Sequence, residues 1–264
     1  MAKRYKNKND EIDKSKPSNK KAKNKILLTI LLIIFLALII FALVNIIIWK
    51  IENDNTNNLL ENINKEITID ETKEDKNIEK YSINFEELKN KNQDTVGWLK
   101  VLGTDIEYPI VQAKNNDYYL THSYNNDYNS AGWPFADYRN KLDGEDKNII
   151  IYGHNRKDES MFGALKNVFT DEWYNDEKNR KVIFATENEQ SIYEVFSIYD
   201  IEEEDYYIQT NFTTKSFKEF VDTISKRSTK EFDVQVNEND QVLTLSTCST
   251  KGNRVVLHAK KIIE

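Results

Sequence analysis

Residues 242–260 read VLTLSTCSTKGNRVVLHAK and contain the only cysteine of the chain, Cys248. Two runs of β-branched and aliphatic residues flank the segment STKGN, 249–253, whose glycine and asparagine favour a turn. We expect two antiparallel strands joined by this loop, with Cys248 ending the first strand opposite Arg254 in the second. Directly opposed residues have Cβ atoms about 4.5–5.5 Å apart, so the guanidinium is predicted to reach the sulfur.

This pairing of a thiol with an arginine suits nucleophilic chemistry. A thiol with a pKa of about 8.5 is only slightly ionised at pH 7, and a nearby permanent cation favours the reactive thiolate. The planar guanidinium can also hold an oxyanion that forms during acyl transfer. We therefore predict Cys248 as a nucleophile and Arg254 as its electrostatic partner.

A cysteine nucleophile needs a proton donor and acceptor, and the chain has three histidines. His154 ends the apolar run NIIIYGH, so it converges with Cys248 if their two strands are parallel neighbours. His122 lies in a Tyr/Asn-rich loop and ranks second. His258 pairs near Thr244 in the assumed register, roughly 13 Å from the cysteine, and is predicted to be a strand-packing residue.

The folded part of the chain is predicted to be mostly β, with a closed or nearly closed sheet and helices packed outside it. Seven short runs have strand composition: TVGWLKV, IEYPIVQ, NIIIYG, KVIFATE, SIYEVFSIYDI, VLTLSTC and RVVLHAK. Three helices are also predicted: one capped by Asn84, one starting at Ser160 and one starting at Ser216.

The region before this domain predicts a membrane anchor. Residues 26–49 form an uncharged stretch of 24 residues, long enough to span a hydrocarbon core of about 30 Å as a helix. Residues 1–25 carry ten Lys or Arg against three acidic residues and are predicted to be a cytoplasmic tail. Residues 50–80 read as a polar spacer, in part helical, and residues 81–264 as the folded domain, which we expect outside the cell.

Charge and composition exclude some partners. The net charge of −7 becomes −14 once the basic tail is set apart, and such an acidic surface argues against binding nucleic acid. The histidines and the cysteine lack clustered spacing for a metal site. We expect no metal and no cofactor.

These motifs together resemble those of the sortases, the cysteine transpeptidases that attach proteins to the cell wall of Gram-positive bacteria. TLSTC is similar to the TLxTC signature, NRVVLHAK to the arginine-bearing final strand and IIIYGHN to the histidine strand. Three features resemble class B members: SAGWPFADYRN, the run DKNIIIYGHNRKDESMFGALK, and the helix at 216–228. The resemblance covers residues 81–264.

The resemblance implies an eight-stranded sortase-type β-barrel with peripheral helices. It also implies that Cys248 attacks a carbonyl in the sorting signal of a secreted protein and forms a thioester. His154 then moves the protons, Arg254 holds the oxyanion, and a peptidoglycan amine resolves the acyl-enzyme. By strand alternation Ser246 shares the face of Cys248 and is predicted to contact the substrate. No Asp follows Cys248 closely enough to orient His154.

Two alternatives remain open from the sequence. A thiol peptidase would use the same three side chains and release the acyl group to water. A membrane-tethered binding module would have a structural Cys248 and no catalytic activity.

Overall fold

The computed structural model describes residues 19–69, 81–202, 204–248 and 253–262. The chain divides into two compact units, Met1–Ile51 and Glu52–Glu264. Most of the basic tail, the end of the predicted spacer and the loop residues 249–252 lie outside the described residues. The domain boundaries drawn from the sequence stay predictions.

A long helix, α1 (Asn19–Asn64), contains the apolar stretch. Within the described residues it is the one helix long and apolar enough to span a membrane. Its last turns belong to the second unit, where Ile63 and Thr56 are buried. Asn129 donates to the hydroxyl of Thr56 at 3.0 Å, so the end of the helix is fastened to a loop of that unit.

The second unit is built around a closed barrel of eight strands. Two short strands, β1 (Ile67–Ile69) and β2 (Tyr81–Ile83), pair outside it, and α2 (Phe85–Lys91) follows. The barrel strands, in chain order, are β3 (Thr95–Val101), β4 (Glu107–Val111), β5 (Phe135–Ala136), β6 (Asn148–His154), β7 (Lys181–Ala185), β8 (Gln190–Glu202), β9 (Val242–Cys248) and β10 (Asn253–Ile262). Around the barrel they run β10-β8-β7-β3-β4-β5-β6-β9.

The fold prediction is confirmed, and all seven predicted strands are present. The eighth, β5, has only two residues, which is too short for a sequence pattern to show. It pairs in parallel with β4 and antiparallel with β6, and so closes the barrel. Asn84 caps α2 as predicted, its side chain accepting a hydrogen bond from the backbone of Glu87 at 3.1 Å.

Two helix starts differ from the sequence prediction. The helix expected from Ser160 is a 3-10 helix over Gly163–Phe169, followed by the short α3 (Asp171–Asn175). Positive φ angles at Glu159 and Met161 keep residue 160 in a loop. The helix expected from Ser216 is α4 (Thr214–Lys226), because Thr213 forms the capping box with Ser216.

Helix α4 packs against the outer face of the sheet. Its buried residues recur at the spacing of one helical face: Phe217, Phe220, Val221 and Ile224. They contact Phe196 and Tyr199 of β8 and the start of β9 in a separate hydrophobic cluster. The long connection between β8 and β9 that carries α4 is thereby fixed over strands β8, β9 and β10.

Candidate active site

The register of β6 and β9 brings the predicted base to the predicted nucleophile. The two strands are parallel neighbours, and His154 and Cys248 are directly paired Cα partners at their carboxyl ends. The sequence placed these residues together only on the assumption that the strands are parallel, and the pairing confirms that assumption.

The hairpin of β9 and β10 follows the predicted register as far as its pairs extend, with Val256 opposite Ser246 and His258 opposite Thr244. The pairing of Arg254 with Cys248, two residues beyond the last of these pairs, stays a prediction. The Arg254 guanidinium donates to the carbonyl of Thr247 at 3.2 Å. A permanent cation therefore lies against the peptide unit that leads into the cysteine.

A backbone carbonyl fixes the orientation of the His154 ring. The Nε2 atom of His154 lies 2.7 Å from the carbonyl oxygen of Leu120. Since a carbonyl only accepts hydrogen bonds, Nε2 carries the proton and Nδ1 has the lone pair that can accept another. The sequence motifs did not reveal this orienting group, because a backbone carbonyl can belong to any residue type.

The loop that supplies this carbonyl is held close to His154 by Gly132. Gly132 has a φ of +60°, and a Cβ atom there would lie 2.9 Å from Cδ2 of His154 and 2.4 Å from the carbonyl oxygen of Tyr119. Only glycine fits this close approach at this backbone angle without strain. The SAGWPFADYRN motif thus contributes a glycine that allows the loop to contact the histidine.

Ser246, two residues before Cys248, is fully buried. Its hydroxyl is hydrogen-bonded to that of Tyr207 at 3.1 Å. Tyr207 comes from the β8–β9 connection, so this contact brings a distant segment to the strand that ends at the cysteine. Its role as a substrate contact stays a prediction.

The other two histidines lie apart from this pairing. His122 stacks on Tyr118 with ring centroids 4.1 Å apart, and its Nδ1 atom is 2.8 Å from the Tyr118 carbonyl oxygen. His258 is completely buried, as predicted for a strand-packing residue, and burial lowers its pKa to about 3. It is therefore neutral at physiological pH.

A buried carboxylate stabilises the strands that precede the site. Asp137 is completely buried and accepts two hydrogen bonds from the side chain of Arg139, at 2.8 and 2.7 Å. It also accepts from the hydroxyl of Tyr152, two residues before His154, at 2.9 Å. Burial raises the pKa of Asp137, but hydrogen bonds from Arg139, Tyr152 and Asn116 outweigh this and hold the pKa below its usual range.

No group of three or more His, Cys, Asp or Glu side chains suited to a metal ion occurs in the part of the chain that the structure describes.

Comparison with known proteins decides the family. The family model described as the sortase domain matches residues 99–262. Sortase B of Listeria monocytogenes serovar 1/2a is 39% identical over 183 residues, covering 67% of this chain and 73% of the relative. The chain belongs to the class B sortases. It is therefore a cysteine transpeptidase.

Solved class B sortases have the same fold. Sortase B from Bacillus anthracis in complex with AAEK1 is 35% identical, with a TM-score of 0.69, and the match covers 81% of this chain and 99% of that chain. A sortase B complexed with triglycine is 34% identical, with a TM-score of 0.64, covering 67% of this chain and 85% of that chain.

Proposed function

We propose that this sortase cleaves a C-terminal sorting signal of secreted proteins through a Cys248 thioester and transfers them to a peptidoglycan amine. The observation that carries the proposal is the pairing of His154 with Cys248 beside the Arg254 guanidinium. A nucleophile, a proton carrier and an oxyanion partner are what an acyl transfer through a thioester needs.

In the first step the Cys248 thiolate attacks a backbone carbonyl of the sorting signal. A carbon–sulfur bond forms, and the guanidinium of Arg254 stabilises the negative charge on the carbonyl oxygen. The carbon–nitrogen bond then breaks, and His154 in its protonated form gives the departing amine a proton from Nδ1. The acyl group remains on sulfur as a thioester.

In the second step an amine replaces the one that left. His154 removes a proton from the incoming amine as its nitrogen attacks the thioester carbonyl. A carbon–nitrogen bond forms, the carbon–sulfur bond breaks, and the thiolate is restored. One amide is exchanged for another, so no external energy source is required.

Two features support the proposed acceptor and location. A related sortase B is complexed with triglycine, whose free amino group is the kind of nucleophile that the second step needs. The apolar segment of α1 would hold the enzyme in the cell membrane, with the basic tail in the cytoplasm and the barrel outside. That position gives the barrel access to exported chains and to wall precursors.

The test uses the full-length chain in detergent with a library of labelled five-residue sorting peptides. With triglycine present, we expect the peptide fragment to appear joined to triglycine, with little free acid. Cleavage that releases only free acid, whatever the triglycine concentration, would show a thiol peptidase instead. No cleavage of any peptide would favour the binding module.

A matched pair of variants tests the histidine assignment. His154→Gln should lower kcat at least about 100-fold, because both proton transfers are lost. His122→Gln should leave kcat within about twofold, since the contacts of His122 in the described part of the chain are with residues of its own loop. Equal losses in the two variants would contradict the assignment of His154 as the proton carrier.

A further inference from the structure

A chain of buried hydrogen bonds runs across the outer face of β6, β9 and β10 beneath the β8–β9 connection. The hydroxyl of Tyr199 lies 2.7 Å from Nε2 of His258, and Nδ1 of His258 lies 2.9 Å from the hydroxyl of Thr244. Thr244 donates to Oδ1 of Asn148 at 2.6 Å. The side-chain amide of Asn148 donates to the carbonyls of Gln209 and Tyr207 at 2.9 and 3.3 Å.

In this series of hydrogen bonds, only one assignment of donors and acceptors satisfies every contact. The carbonyls of residues 207 and 209 can only accept, so the NH₂ group of Asn148 faces them and its oxygen faces Thr244. Thr244 must donate to that oxygen, so its lone pair receives the Nδ1 proton of His258. Nε2 of His258 is then the acceptor for the Tyr199 hydroxyl.

The series of hydrogen bonds ends on residues 207–209, an irregular segment that belongs to no strand or helix. Asn148 binds the carbonyls of residues 207 and 209, and Arg139 donates to the carbonyl of Ile208 at 2.9 Å. Three successive carbonyls are thus held by two side chains. The ring of Tyr207 also packs edge-on against the His258 ring, with centroids 6.4 Å apart.

The held segment reaches the candidate site through Tyr207. Positions 244, 246 and 248 share one face of β9, and the Tyr207 hydroxyl is hydrogen-bonded to Ser246, the middle one of these. Movement of residues 207–209 would therefore move the Tyr207 hydroxyl, whose partner Ser246 is the neighbour of position 248 on this face of β9.

We propose that His258, Thr244 and Asn148 are positioning residues, whose hydrogen-bond chain holds segment 207–209 against the strand that ends at Cys248. The proposal rests on the proposed function for its effect on catalysis, but the holding of the segment is independent of any activity. The buried histidine that plays no part in proton transfer would thereby still be required to shape the site.

The test compares Thr244→Val, which removes the hydroxyl at nearly constant volume, with Thr244→Ser, which keeps it. In the full-length chain, hydrogen exchange of the amides in residues 205–212 should become about tenfold faster in Thr244→Val and stay near wild type in Thr244→Ser. Strands β3 and β4, on the other side of the barrel, should exchange as in wild type. Thr244→Ala removes the same hydroxyl and serves if Thr244→Val does not fold.

Steady-state kinetics of the same variants separate an effect on substrate binding, seen in KM, from an effect on the chemical steps, seen in kcat. If the segment is held in the binding-competent position for only part of the time, the KM for the sorting peptide rises by about tenfold in Thr244→Val while kcat changes less than twofold. Thr244→Ser should restore the wild-type KM.

Two results would overturn the proposal. One is amide exchange in residues 205–212 of Thr244→Val at the wild-type rate, and the other is exchange and KM changed as much in Thr244→Ser as in Thr244→Val. If the wild-type protein transfers no peptide but exchange in Thr244→Val is faster in residues 205–212 alone, the proposed function is refuted while the role of the hydrogen bonds in holding the segment stands.

Discussion

Replacing Gly132 by alanine should displace the carbonyl that orients His154 while leaving the histidine itself unchanged. The added Cβ atom would lie 2.4 Å from the carbonyl oxygen of Tyr119, and 2.9 Å both from that of Leu120 and from Cδ2 of His154. Two of these three neighbours are backbone atoms, which cannot rotate away as the end of a flexible side chain could. The backbone of residues 119–120 must therefore shift relative to residue 132 and to the imidazole.

The size of the movement follows from the contact distances. Ordinary van der Waals contact begins at 3.4 Å, so the closest contact requires a shift of about 1 Å. The Leu120 carbonyl is 2.7 Å from Nε2 of His154, and a shift of this size weakens or breaks that hydrogen bond. A misplacement of about 1 Å in a catalytic group can cost about 100-fold in rate, so we expect kcat to fall by this order.

The assay measures transfer of a labelled sorting peptide to triglycine by the full-length chain, with Gly144→Ala as the matched control. Gly144 also has a positive φ, +89°, but among the described residues, its two chain neighbours aside, no atom lies within 4 Å of a Cβ placed there. Both variants carry a backbone penalty of about 1–2 kcal/mol in folding stability. Only Gly132→Ala should lose activity.

A folded Gly132→Ala enzyme with kcat within twofold of wild type would show that Gly132 is not needed to place the carbonyl that orients His154. So would equal losses of kcat in Gly132→Ala and Gly144→Ala, because backbone strain alone would then explain the effect.

Two further predictions concern stability. Because burial holds the pKa of His258 at about 3, the unfolded chain takes up a proton below about pH 6.5 that the folded chain does not. This residue should therefore lower the unfolding free energy by about 1.4 kcal/mol per pH unit as pH falls from 6.5 toward 3. Denaturant titrations of wild type and His258→Gln should differ by this slope, and parallel slopes would contradict the burial argument. Separately, Asp137→Asn should cost about 3 kcal/mol in unfolding free energy, because the completely buried carboxylate accepts hydrogen bonds from Arg139 and Tyr152 that a neutral amide cannot all replace. Glu219→Gln, which weakens the exposed pair with Lys215, should cost less than about 1 kcal/mol by the same titration. Equal costs would show that burial of the carboxylate is not what matters.

The parts of the site that strand geometry determines could be predicted from the sequence. A ladder carries register along its whole length, so one turn segment and the apolar runs beside it predicted that His258 lies opposite Thr244, as it does in the structure. The same register predicts Arg254 opposite Cys248, which stays a prediction. The apolar run ending in His154 predicted a buried strand, and its parallel pairing with β9 follows from the way the barrel closes.

Long-range side-chain contacts could not be predicted in this way. Asn148 and the carbonyl of Gln209 are far apart in sequence, and no periodicity links a buried asparagine to an irregular segment. Strand β5 could not be predicted either, because two residues are too few to show the alternation of a strand and its pairing depends on tertiary context. The predicted start of α4, at Ser216, lies two residues after the observed start at Thr214. The difference arises because Thr213 and Ser216 are both good capping residues.

The thioester mechanism is tested most directly by mass spectrometry of the full-length chain after acid quenching of its reaction with a sorting peptide. We expect an added mass equal to the acyl fragment, located by proteolysis on Cys248 and absent from Cys248→Ala. Triglycine added before quenching should discharge this adduct as the joined product. Unmodified Cys248 in an enzyme that still transfers peptide to triglycine would contradict the thioester mechanism.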